Sequence, residues 1–89
     1  MGGTAWPAVQ KALAVKLQIA GISHEECIVA LERFGPARTI GSLRSKMAEI
    51  KKEGNIGSTW EESKVKAYFT TLGITSEIEE QLDEVINAL

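Results

Sequence analysis

The side chains best placed to act on a partner are cationic and lie in one stretch: Arg38, Arg44, Lys46, Lys51 and Lys52. Lysine and arginine attract phosphate oxygens, so the chemistry this stretch offers is electrostatic binding of a polyanion rather than catalysis. Thr39, Ser42 and Ser45 lie among them and add hydroxyls that can bond phosphates or base edges. Ile40, Leu43, Met47 and Ile50 recur at steps of three, four and three, which puts them on one face of a helix. Gly41, Ser42, Ser45, Ala48, Glu49 and Lys52 then fall on the opposite face, a low ridge with Arg44 and Lys51 on one shoulder and Lys46 on the other. Such a ridge can approach a phosphate backbone or another helix closely. The same charges also suffice simply to solvate an exposed helix.

Covalent chemistry has little to work with. Catalysis needs an acid, a base or a nucleophile converging in a cleft, and the chain has one histidine, one cysteine and acidic residues at outward helical positions. A phosphate-cradling glycine loop and a metal-ligand cluster are both missing, so the chain is expected to be no enzyme and to use no cofactor or metal. Cys27 lies on an apolar stripe and is expected to be a buried, inert thiol. His24 reads as a solvated or capping side chain.

With 89 residues, 44% hydrophobic and 25% charged, the chain fits one small globular domain near the size at which a single core suffices. No apolar run reaches the roughly 18 residues that a membrane helix needs, and no signal-peptide pattern opens the chain. An intracellular location, cytoplasm or nucleus, is expected, with no membrane partner. The net charge of −2 hides an asymmetry. Residues 1–35 are balanced, residues 36–57 carry a net +3, and residues 58–89 carry a net −5. A dedicated nucleic-acid domain is usually basic throughout, so this balance weighs against tight binding by the chain alone.

The elements that must position the cationic stretch are helices. Residues 1–5 read as a flexible leader. Pro7 suits a first helical turn, and Trp6, Val9, Leu13, Leu17 and Ala20 form a stripe that stops at Gly21. Trp6 is a core plug or, alternatively, a ligand-stacking platform. Ser23 and Glu26 form a capping box for a second helix presenting Cys27, Ile28, Leu31 and Phe34, which ends at Gly35-Pro36. Thr39 is the N-cap of the third helix and Gly54 closes it. Two braced helices followed by a third are the layout of a helix-turn-helix unit, here residues 6–54.

The residues of that unit resemble the homeodomain-like, Myb/SANT-related helix-turn-helix family over residues 6 to 52. The resemblance rests on an initial Trp6, on Gly21-Ile22-Ser23-His24-Glu25-Glu26 followed by Leu31, and on Arg38-Thr39-Ile40-Gly41-Ser42-Leu43-Arg44-Ser45-Lys46-Met47. It implies double-stranded DNA as partner, with Arg38, Thr39, Ser42, Ser45 and Lys46 as contacts and Arg44 on a flank; Lys52 joins them on the charge pattern. Two departures stand out. Pro7-Ala8-Val9-Gln10-Lys11 replaces the usual acidic run after the tryptophan, and Glu49 lies on the face meant for DNA.

Residues 58–89 add a helical hairpin in the same compact domain, giving an all-α fold of about five helices. Ser58-Thr59-Trp60-Glu61 has capping-box spacing, and Trp60, Val65, Tyr68, Phe69 and Leu72 share a side. Ser76 and Glu79 suggest a cap for the last helix, whose stripe is Ile78, Leu82, Val85, Ile86 and Leu89. Leu72-Gly73-Ile74-Thr75 echoes Ala20-Gly21-Ile22-Ser23, which is compatible with a diverged duplication. A lone hairpin has too little apolar surface to stand, so it must pack on the first three helices or on a partner.

Two functions from different classes follow. One is a regulatory or architectural DNA-binding module that reads DNA with residues 38–52. The other is a protein-interaction module: Ala20-Gly21-Ile22, Ala30-Leu31 and Leu43 also resemble the ubiquitin-associated domain, with Gly21 and Ile22 in its binding loop. Within that second class the acidic Glu80, Asp83 and Glu84 of the last helix could dock a basic partner or support self-association.

Overall fold

A computed structural model describes residues 6–57 and 59–89. The described residues form five helices and no strand: α1 (Ala8–Ile19), α2 (His24–Leu31), α3 (Ile40–Glu53), α4 (Glu62–Leu72) and α5 (Ser76–Asn87). The expected leader at residues 1–5 and the expected cap at Ser58 lie outside the described residues.

The central helix is α1. Gln10, Ala12, Leu13, Ala14, Val15 and Leu17 are all buried, so it is covered nearly all round rather than along one stripe. Its neighbours explain this, because α2 and α3 pack on it and so does α5. Ala20, assigned to the stripe by spacing, is exposed at the C-cap. The hairpin therefore joins the first three helices through α1, and one core runs from Trp6 to Val85. A radius of gyration of 12.0 Å matches the ~12 Å expected of a compact chain this long.

Three helices end in the same way. After α1 the Ile22 N–H donates to the Leu17 carbonyl at 3.1 Å while Gly21 turns left-handed at φ 76°. After α4 the Ile74 N–H donates to Phe69 at 3.0 Å with Gly73 at φ 78°. After α3 the Ile56 N–H donates to Lys51 at 2.9 Å, but here the left-handed residue is Asn55, at φ 51°. Each is a Schellman ending, which satisfies carbonyls that the helix leaves open. Gly54 thus has a different job from the one its position suggests. It keeps a right-handed backbone, and a Cβ there would stand 2.9 Å from Ile56 Cδ1 and 3.1 Å from Tyr68 Cδ1.

Helix starts follow the caps. Ser23 accepts from the Glu26 N–H, Thr39 from the Ser42 N–H, and Thr75 from the Ile78 N–H. Thr75, not Ser76, therefore caps α5, because its extended backbone turns the hydroxyl back over the first turn. The α1–α2 and α4–α5 joints share left-handed glycine, isoleucine and hydroxyl cap, so the sequence echo is also an echo of local geometry. Helix α4 begins at Glu62, after Trp60. Trp60 stands outside it with φ 55°, a left-handed conformation that costs a bulky residue roughly 1–2 kcal/mol.

Candidate nucleic-acid interface

The inner face of α3 fixes its orientation. Leu43 and Ile50 are fully buried and Met47 nearly so, and together they hold α3 against α1 and α2. Gly41, Arg44, Ser45, Ala48, Glu49 and Lys52 are all exposed. The ridge of small residues is open to solvent, and the hairpin lies against α1 rather than over it.

The seven residues proposed for DNA contact divide into two groups. Arg44, Ser45 and Lys52 stand on the open face, and Arg44 and Lys52 have no ion-pair partner among the described residues. The other four are engaged or partly covered. The Arg38 guanidinium lies 4.5 Å from the Trp6 ring centre, and its Nε donates to Gln10 Oε1 at 3.0 Å. Thr39 spends its hydroxyl on the cap, and Ser42, whose N–H that hydroxyl receives, is half-buried. Lys46 is also half-buried, 6.0 Å from the Trp6 ring and paired with Glu49 at 3.3 Å. Trp6 is therefore a plug that also seats two cations on its ring. Lys51 sits over Trp60 at 4.7 Å.

Spacing alone gave no sign of Gln10, a polar residue inside a helix that looked apolar. It is completely buried, and its Nε2 donates to the carbonyls of Leu31 and Pro36 at 2.9 Å each. With Arg38 on its Oε1, one side chain ties α1 to the end of α2 and to Pro36 and Arg38 of the connector that leads into α3. Gly35 leaves room for it, since a Cβ there would stand 3.0 Å from Gln10 Cδ. The connector from Glu32 to Thr39 is eight residues long, whereas a helix-turn-helix turn is typically 3–4. The clamp supplies the rigidity that a short turn would otherwise give.

The residues of the second reading lie elsewhere. Gly21 is exposed, but Ile22 turns inward as the apolar contact of the α1 ending and is half-buried against the core. Glu80 and Glu84 are exposed on α5, and Asp83 accepts from Lys16 Nζ at 2.9 Å. Cys27 is fully buried, its thiol within 3.6 Å of the Ile22 carbonyl. Burial raises its pKa, with the negative charge of Glu26 adding to the effect, so it stays a thiol. Among the described residues no group of three or more histidine, cysteine or acidic side chains is arranged to hold a metal, and no helix is long and apolar enough to cross a membrane.

Compared with protein-family models, curated proteins and solved structures, the chain matches none of them.

Proposed function

We propose that the chain is a DNA-binding module of regulatory or architectural type, that α3 is its recognition helix, and that its resemblance to the homeodomain-like helix-turn-helix family reflects this use. The supporting observation is the open outer face of α3, where the unpaired Arg44 and Lys52 flank Gly41, Ser45 and Ala48 while the opposite face is locked into the core. Small residues let the helix axis come close to a groove, and the two cations meet phosphates. In this reading Arg38 and Lys46 hold the start of α3 against Trp6, and the direct contacts come from Arg44, Ser45 and Lys52. The partner is double-stranded DNA.

The test is binding to random-sequence duplex at several salt concentrations. Each phosphate contact adds about 0.9 to the slope of log affinity against log salt, so Arg44→Ala with Lys52→Ala should flatten it by about 1.8. Unchanged affinity and slope in the double variant, with its helical circular dichroism intact, would remove α3 from the interface.

A further inference from the structure

On a different side of α1, its C-terminal half forms a groove of about 430 Å³ with α4 and α5. Its apolar lining comes from Ile19, Trp60, Val65, Phe69 and Ile86. Each wall is a helical ridge: positions 16, 19 and 20 on α1, positions 62, 65, 66 and 69 on α4, and positions 79, 83 and 86 on α5. The longer two walls run about two turns, some 10–12 Å at 1.5 Å per residue. A valley between helical ridges is the shape into which another helix packs. The left-handed backbone at Trp60 keeps that ring out of α4 and sets it at the groove, with Lys51 4.7 Å from the ring centre.

The walls differ in charge. Helix α5 carries Glu77, Glu79, Glu80, Asp83 and Glu84, and the single ammonium of Lys16 answers two of them, Asp83 at 2.9 Å and Glu79 at 3.4 Å. On the α4 wall Glu62 is matched by Lys66 at 3.7 Å. An occupant therefore meets an apolar floor, one neutral side and one acidic side, where Glu79 and Asp83 share Lys16 at the groove and Glu80 and Glu84 stand exposed beyond them on the same helix.

We infer that this groove receives an amphipathic helix from another protein, about two turns of it, with apolar anchors at i and i+4 and lysine or arginine on the flank toward α5. A second copy of this chain has no such helix to give. Its net-positive helices, α1, α3 and α4, already bury their apolar faces in the core, and so does the acidic α5. Helix α2 brings Glu25 and Glu26 toward an already acidic wall. No residue of α3 lines the groove, so this site stands or falls independently of DNA binding.

The probe is a synthetic helical peptide of about 16 residues, with leucines at i and i+4 spacing and lysines along one flank, titrated into the full chain and followed by 1H–15N NMR. A matched peptide carries glutamates in place of the lysines. Saturable shifts confined to Ile19, Ile86 and the Trp60 indole are expected, with the lysine peptide at least about tenfold tighter. Glu80→Lys with Glu84→Lys, both exposed and outside the Lys16 pair, should erase that preference, and Ile19→Glu should abolish binding without loss of helical signal. Equal affinity for the two peptides, shifts centred on α2 or on α3 away from Lys51, no shifts at all, or a concentration-dependent dimer that buries Ile19 and Trp60 would each overturn the inference.

Discussion

Gln10 and Arg38 lie 28 positions apart and meet at 3.0 Å, the guanidinium donating to a side-chain amide that has no exposed surface. The same amide donates to Leu31 and Pro36, so it joins three elements through polar contacts inside the core. Gln10→Leu should leave those two carbonyls short of a donor and cost about 2–3 kcal/mol, read as a lower urea midpoint. Gln10→Glu keeps an acceptor for Arg38 but sets a buried carboxylate oxygen against the Leu31 and Pro36 carbonyls, and should cost at least as much as Gln10→Leu. A loss below 0.5 kcal/mol for Gln10→Leu (roughly the floor for a surface change) would mean that the clamp is dispensable.

Gly54 and Asn55 are adjacent and are expected to respond in opposite directions. Gly54→Ala puts a methyl against buried Ile56 and Tyr68, so it should lose about 1–2 kcal/mol although its φ of −90° suits alanine. Asn55→Gly relieves a side chain at φ 51° and should be neutral or stabilise by up to about 1 kcal/mol. Thermal unfolding of the two variants distinguishes crowding from backbone strain. If Gly54→Ala gained stability, the glycine would be serving the turn alone.

Tyr68 predicts an alkaline sensitivity. Burial raises its phenol above the ordinary value of about 10, and the hydrogen bond it donates to Glu53 at 3.0 Å and the charges of Glu53 and Glu49 push the same way. The folded chain thus favours the protonated phenol. Its contribution is complete below about pH 10, where the unfolded phenol ionises, and is lost as pH rises toward the folded value. Urea midpoints measured from pH 8 to pH 11.5 should converge with those of Tyr68→Phe at the alkaline end. Parallel curves would show that the phenol ionises alike in both states. Since Tyr68 is the only tyrosine, its ionisation can also be followed directly by ultraviolet absorbance.

Glu49 is an anion on the face proposed for DNA, and it holds Lys46 at 3.3 Å. Glu49→Gln should free that ammonium, raise affinity for random duplex several-fold at low salt, and steepen the salt slope by up to about 0.9. Weaker or unchanged binding would mean that this part of α3 does not face phosphate.

The sequence by itself determined what depends on neighbours in the chain. Five helices, the caps at Ser23 and Thr39, the Gly-Ile-hydroxyl joints and the inward face of α3 all follow from spacing and from backbone groups a few residues apart. The tertiary structure decided what needs partners distant in sequence. Burial of α1 on nearly every side requires α2, α3 and α5 together, and a glutamine among apolar residues gives no local sign that two carbonyls and a guanidinium await it. Arg38 and Lys46 read as free cations because charge is a property of the residue. Their engagement with Trp6, Gln10 and Glu49 is mainly a property of the packing, which brings the start of α1 against the start of α3.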